Sequence, residues 1–162
     1  MSYRLFIRAL ALLTALVYVA MMGIGYFRLM PLSGGMTPPD MWVLGYDAAR
    51  IAEWLAAMDA DARALYLGPI AVLDSIFPPM FGLLLACLIW RMGRGWLAML
   101  PFAYSATDLW ENSVLHRILR DEAADLADHA SNLTQGKFAL MAMALLLVWM
   151  VWRDRQRSRG RR

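Results

Sequence analysis

The sequence predicts an all-α membrane protein: a polytopic four-helix bundle with an outer amphipathic helix in the first loop. Hydrophobic residues make up 60% of the 162 residues and charged residues 18%, whereas soluble domains hold about 45–50% apolar and about 25% charged residues. Four long apolar segments follow one another, and the basic residues cluster in some of the connections between them. One domain accommodates all four segments.

Four segments are long enough to cross a bilayer, whose apolar core of about 30 Å requires about 20 helical residues. They cover residues 5–27, 69–90, 96–116 and 133–152. The basic start of the first segment is also typical of a signal peptide. Its apolar run is long for a signal peptide, however, and no clean small-x-small cleavage site follows, so we interpret it as a retained helix.

The long first loop opens with proline and glycine turn formers and then shows helical periodicity. Asp47 is suited to cap a helix, and the pattern predicts an amphipathic helix over residues 47–67. Packing against the helix ends, a lid over the mouth of the bundle and docking on the outer membrane surface are three open interpretations. The apolar positions recur at i, i+3, i+4 and i+7: Ile51, Trp54, Leu55 and Met58.

The distribution of Lys and Arg predicts the orientation. Arginines concentrate near the N-terminus, in the turn between the second and third segments, and in the Arg-rich tail 153–162, whereas the other two loops hold most of the acidic loop residues. Both termini are therefore expected on the cytoplasmic side of a bacterial inner (cytoplasmic) membrane. The lipid bilayer is the predicted partner, and the apolar character of the chain argues against nucleic-acid binding.

Ionisable residues inside the predicted spans mark a candidate site, because an Asp at the centre of a span costs about 2.5–3.5 kcal/mol. Polar residues repeat with helical spacing on the third segment and form a face that must point into the bundle. On the second segment, Pro78 and Pro79 lack backbone donors, which predicts a kink at the same depth. The predicted polar cluster, or ligand-binding site, contains Asp74, Tyr104, Asp108, Glu111, Asn112, His116 and Lys137.

The familiar catalytic and cofactor motifs are missing from the sequence. It contains no phosphate-binding glycine loop, no G-x-S-x-G motif and no H-E-x-x-H motif. The two histidines, His116 and His129, do not have the spacing of a metal site. The sequence therefore predicts no metal and identifies no cofactor or catalytic residue, and it leaves open whether the protein is an enzyme.

Two segments resemble a family of small bacterial four-helix integral membrane proteins without an assigned function. They are LDSIFPP at residues 73–79 and DLWEN at residues 108–112, and in that family a lysine also occurs early in the last helix, here Lys137. The resemblance covers roughly residues 45–149 and implies the same fold and polar positions, but no activity. The layout is also similar to that of EXPERA-type sterol-binding proteins, at the level of the fold alone.

Three functional hypotheses follow. The first is a bundle that binds a small hydrophobic or lipid-like ligand in an outer-facing polar pocket. The second is an accessory subunit or assembly factor with partners in a larger membrane complex. The third is a membrane-embedded enzyme that acts on a lipid with a carboxylate as acid and base. A structural interpretation stands beside them: Lys137 pairs with Asp74 or Glu111, and Asn112 links the helices by hydrogen bonds.

Overall fold

The structure, a computed structural model, describes residues 2–91 and 95–159, except for the side chains of residues 151, 154, 155, 158 and 159. Arg94 of the predicted cytoplasmic turn and Arg161 and Arg162 of the tail lie outside the described residues. The described part of the chain is built from helices. They are α1 (Tyr3–Leu32), α2 (Ala48–Ala57), α3 (Ala60–Trp90), α4 (Met99–Asp121) and α5 (Ala127–Arg159).

The four long helices α1, α3, α4 and α5 pack with alternating direction. The Tyr3 hydroxyl donates to the carbonyl of Cys87 at 2.7 Å, which pairs the start of α1 with the end of α3. Pairs of contacts between α3 and α4 and between α4 and α5 show the same antiparallel order, because the residue numbers rise on one helix as they fall on the other. We call the end of the bundle that carries residues 33–59 the loop end, and the opposite end the turn end.

Three of the helical segments are long and apolar enough to cross a membrane: Tyr3–Leu32, Ala60–Trp90 and Ala124–Met150. The remaining long helix, α4, has 23 residues and packs between α3 and α5. It carries the predicted polar face, which lowers its overall hydropathy. The chain is therefore a multi-pass helical membrane protein in which one long helix carries a distinctly polar face.

The helix of the first loop is shorter than the predicted 47–67. Asp47 caps α2 by accepting from the backbone N–H of Arg50 at 2.8 Å, and α2 ends at Ala57. Asp59 then caps a new helix by accepting from the N–H of Ala62 at 2.7 Å. That helix continues without a break into α3, so α3 begins at Ala60 rather than at residue 69.

The apolar face of α2 packs on the loop end of the bundle. Ile51 and Trp54 are completely buried and belong to one hydrophobic cluster with Leu115 and Ile118 of α4. Of the three interpretations of this helix, the structure shows packing against the helix ends. The face that would enter a membrane surface is already covered by the bundle.

Candidate functional site

The polar face of α4 points into the bundle, as its helical spacing predicts. Trp110, on the opposite face, is 57% exposed, and Ala103 is exposed as well. An exposed apolar surface opposite a buried polar surface is the arrangement expected for a helix inside a membrane. The buried face consists of Tyr104, Ser105, Asp108, Glu111, Asn112 and Leu115.

Lys137 of α5 bridges two carboxylates of α4. Its Nζ atom lies 3.0 Å from Oδ1 of Asp108 and 2.5 Å from Oε2 of Glu111. All three residues are buried, and Glu111 is completely so. One ammonium group therefore binds two carboxylates that lie one helical turn apart and fastens α5 to α4.

Hydroxyl groups occupy the remaining oxygens of these two carboxylates. The Tyr104 hydroxyl donates to Oδ2 of Asp108 at 2.8 Å, and the Thr134 hydroxyl donates to Oε1 of Glu111. The Tyr46 hydroxyl lies 3.1 Å from that of Thr134. Burial raises the pKa of Tyr46 above its ordinary range, so this phenol keeps its proton. The network around Asp108 and Glu111 is thus closed by groups of the protein itself.

The interface between α3 and α4 is organised around the two prolines. Pro78 cannot donate to the carbonyl of Asp74, and the side-chain amide of Asn112 donates to that carbonyl instead, at 3.3 Å. The Ser105 hydroxyl donates to the carbonyl of Pro78 at 2.7 Å. The helix continues through both prolines, and the kink at this point stays a prediction.

A cavity of about 590 Å³ lies between α1 and the other long helices. Its polar groups are near the loop end, and the walls towards the turn end are apolar. On α1 the lining extends from Ala11 to Met30, which corresponds to about 28 Å of helix. The polar lining includes Asp40, Asp74, Tyr104, Asp108 and Lys137.

Asp74 is the least satisfied acidic residue of the predicted cluster. It is 8% exposed and lines the cavity. Its backbone carbonyl accepts from Asn112, but its carboxyl has no hydrogen bond or ion pair with any residue that the structure describes. Asp74 therefore differs from Asp108 and Glu111, which are held by Lys137.

The structure adds Asp40, which sequence reasoning left among the loop acids. A short turn at Pro39–Met41 carries it into the cavity wall. Part of the residue is exposed, but its Oδ1 atom is buried and has no hydrogen-bond partner within residues 2–91 and 95–159. Burial raises the pKa of the Asp40 carboxyl, the positive charge of Lys137 opposes this shift, and the negative charge of Asp108 reinforces it.

The path of the first loop explains how Asp40 reaches this position. Gly45 adopts a φ of +90°, and an added Cβ there would lie 2.9 Å from the Ser131 hydroxyl. The next residue donates its backbone N–H to the same hydroxyl at 2.9 Å. The consecutive prolines before Asp40 were the one sequence signal of a rigid turn, but they do not indicate that the turn folds inward.

His116 is set apart from the other predicted residues. It is half-buried, and its ring packs edge-on against Tyr66, with 6.1 Å between the ring centroids. Tyr66 lines the cavity, whereas His116 does not. His116 therefore lies one layer behind the wall and has no hydrogen bond to the acidic residues in the described part of the chain.

Two π-helical turns border the cavity, and neither was predicted. They are Gly25–Leu29 in α1 and Tyr66–Ile70 in α3, and each contributes two residues to the lining. Such turns are rare and occur often at functional sites. Among the described residues, no group of three or more His, Cys, Asp and Glu side chains is placed to hold a metal ion.

Comparison of the chain with protein-family models, with curated proteins and with solved structures found no match. The resemblance to the bacterial four-helix family and the similarity of layout to EXPERA-type proteins thus gain no support from these comparisons. The fold itself defines a coarser class: a small helical protein with several long apolar helices, as in small integral membrane proteins.

Proposed function

We propose that this chain is a four-helix integral membrane protein that binds a small hydrophobic or lipid-like ligand in the cavity between α1, α3, α4 and α5. In this proposal all four long helices cross a bacterial inner membrane, both termini are cytoplasmic, and the loop end faces outward. The polar end of the cavity orients the head of the ligand. The apolar walls hold its hydrocarbon part.

The observation that carries this proposal is the cavity with its separated polar and apolar ends. Its volume of about 590 Å³ falls within the range of about 300–1,000 Å³ that is usual for ligand pockets. Phe77 and Phe81 stack with 5.4 Å between ring centroids, and both line the cavity. Aromatic walls next to a few polar groups are typical of sites for small amphipathic molecules.

The loose packing of α1 supports access from the bilayer. This helix packs mainly against α3, and within Tyr3–Ile24 it buries Leu10 and Thr14 alone. One wall of the cavity is therefore a helix that buries few of its side chains. A ligand dissolved in the bilayer can enter beside such a helix without passing through water.

A cavity-filling substitution tests the proposal. Ala11 lines the apolar part of the cavity, whereas the neighbouring Leu12 is 62% exposed on the lipid-facing side. We expect Ala11→Phe to reduce the amount of lipid-like ligand that copurifies in mild detergent, as measured by native mass spectrometry. Leu12→Phe is the matched control and should leave that amount unchanged. Equal ligand content in wild type, Ala11→Phe and Leu12→Phe would contradict the proposal.

A second candidate function is a membrane-embedded enzyme that acts on a lipid. It is favoured by Asp74, a buried carboxyl without a partner that lines the cavity and is available as a general acid or base. Wild-type protein incubated with a bacterial lipid extract should then convert one lipid species, as seen by mass spectrometry. Asp74→Asn should abolish that conversion, and an unchanged lipid profile with the wild type would contradict this candidate.

A further inference from the structure

The charges at the polar end of the cavity are unbalanced. Asp40, Asp74 and Asp108 line it, together with Lys137. Lys137 is the one cation among the described residues that line the cavity, and its ammonium group is already shared between Asp108 and Glu111. Two carboxyl groups, those of Asp40 and Asp74, therefore face the cavity without a cation of their own in the described part of the protein.

The carboxyls of Asp74 and Asp40 need a hydrogen-bond donor that the described part of the protein does not supply. Asp74 is more than nine-tenths buried and lines the cavity, yet its carboxyl accepts no hydrogen bond from any side chain or backbone group that the structure describes. A second acceptor, Oδ1 of Asp40, is buried and unpartnered on another element of the same wall. A buried carboxylate is costly without a donor or a counter-charge.

Aromatic rings continue the wall next to these carboxyls. Ring contacts connect α1, α3 and α4: Tyr18 to Phe77 at 5.4 Å, and Phe81 to Tyr104 at 5.8 Å between centroids. The faces of such rings attract cations. Carboxylates and aromatic faces together favour a positively charged group over a neutral or negative one.

We infer that the ligand is an amphiphile whose polar head is a protonated amine, with the amine held by Asp74 and Asp40 and the hydrocarbon chain lying along α1. An ammonium group brings one positive charge and up to three N–H donors and has no acceptor, so it matches the carboxyl of Asp74 and the unpartnered Oδ1 of Asp40 in the described part of the chain. A carboxylate head would be repelled, and a hydroxyl head supplies one donor and no charge. This inference rests on the proposed function and specifies the chemistry of its ligand.

Three amphiphiles with the same alkyl chain and different head groups test which head group the cavity binds. Dodecylamine, dodecanol and dodecanoate are added to the purified full-length protein in phosphatidylcholine nanodiscs, and binding is followed as a rise in unfolding temperature with probe concentration. We expect dodecylamine to bind best. Asp74→Asn should weaken its binding about tenfold or more, because a charge-assisted hydrogen bond to the ammonium group is lost.

Matched variants separate specific binding from a general effect of a cationic detergent. Asp121 is an exposed acid at the end of α4, and Asp121→Asn should respond to dodecylamine as the wild type does. If Asp74→Asn does not fold, Asp40→Asn and the order of the three probes on the wild type give the answer.

The outcomes distinguish the inference from the function on which it rests. Equal or tighter binding of dodecanol or dodecanoate would overturn the amine head group and leave amphiphile binding standing. Wild-type affinity of both Asp74→Asn and Asp40→Asn for dodecylamine would also overturn the amine head group and leave amphiphile binding standing. If none of the three probes binds, the proposed function fails, and the inference fails with it.

Discussion

At the scale of single residues, Lys137 forms two buried ion pairs. Its ammonium group contacts Asp108 and Glu111, and all three side chains are buried. Removing one member of a buried ion pair is much more harmful than replacing the whole group, because the partners keep their charge without a counter-charge. The stability of the α4–α5 contact should therefore depend strongly on this one side chain.

We predict that Lys137→Met lowers the free energy of unfolding by about 3–5 kcal/mol, as is usual when a buried ion pair loses one partner. Unfolding in mixed detergent micelles measures the change. Adding Glu111→Gln to Lys137→Met should restore part of the loss, because one uncompensated charge is removed. Wild-type stability of the Lys137→Met variant would show that the ion pairs do not hold α5 to α4.

Asp40 predicts a pH dependence of stability. Burial raises the pKa of its carboxyl, so the folded protein favours the protonated form, and this contribution is lost as the pH rises above the ordinary value of 3.8 and through the folded pKa. Lys137 attracts the ionised form, while Asp74, Asp108 and Glu111 repel it. The stability of the wild type relative to that of Asp40→Asn should therefore fall as the pH rises.

Unfolding temperatures of the wild type and Asp40→Asn, measured from about pH 4 to about pH 9, check this sign. The other buried carboxyls are present in both proteins, and because they repel the ionised form of Asp40, their coupling to Asp40 changes the difference in the same direction. A difference between the two proteins that does not change with pH would mean that Asp40 ionises as an ordinary exposed carboxyl.

At the scale of the helices, the contact between α3 and α4 depends on close approach at Gly82. A Cβ added at this position would lie 2.8 Å from the carbonyl oxygen of Pro101 and would collide with the Ser105 hydroxyl. The same hydroxyl donates to the carbonyl of Pro78. The absence of a side chain at Gly82 thus lets α4 approach α3 closely enough for Asn112 and Ser105 to bond to the proline segment.

We predict that Gly82→Ala lowers the free energy of unfolding by about 1–3 kcal/mol, the usual cost of overpacking an interior. Gly23→Ala in α1 is the matched control, because nothing lies within 4 Å of the added Cβ. That control should be neutral or should stabilise the helix by up to about 1 kcal/mol. Equal effects of the two substitutions would show that the α3–α4 contact tolerates a wider spacing.

At the scale of the whole molecule, the sequence predicts how the helices face but not how the loops fold. A polar residue within a membrane span has few alternatives to the bundle interior, so helical spacing alone placed Asp108, Glu111 and Asn112 correctly on a buried face. Several carboxyls lie at a similar depth, however. Which of them Lys137 contacts depends on the rotation of each helix, which sequence spacing does not determine.

The position of Asp40 in the cavity wall could not be predicted from the sequence, because it depends on tertiary contacts. The inward path of its loop follows from Gly45 docking on α5 and from the backbone contact to Ser131, which are tertiary contacts between distant parts of the chain. His116 shows the opposite case. Its spacing puts it at the edge of the polar face of α4, and the edge-on contact with Tyr66 keeps it behind the cavity wall. For a residue at the edge of a helical face, sequence spacing does not determine whether the side chain reaches the cavity.

The proposed orientation of the molecule makes a prediction about accessibility. With Cys87 replaced by Ala, single cysteines are introduced at three positions: Ser2→Cys, Asp121→Cys and Gln156→Cys. An impermeant maleimide should label Asp121→Cys in intact spheroplasts, because α4 ends on the outer side, and should label the other two only after permeabilisation. Protection of Asp121→Cys before permeabilisation would contradict a crossing by α4.

The polar face of α4 has a consequence for how the chain reaches the membrane. A helix that carries Asp108 and Glu111 partitions poorly into lipid by itself, and the lysine that pairs with both of them is synthesised later, within α5. In the proposed topology with four membrane-spanning helices, we therefore expect α4 to be retained at the translocon and to enter the bilayer together with α5 as a hairpin. In glycosylation mapping, nascent chains that end before Lys137 should fail to integrate α4, and chains that include α5 should succeed.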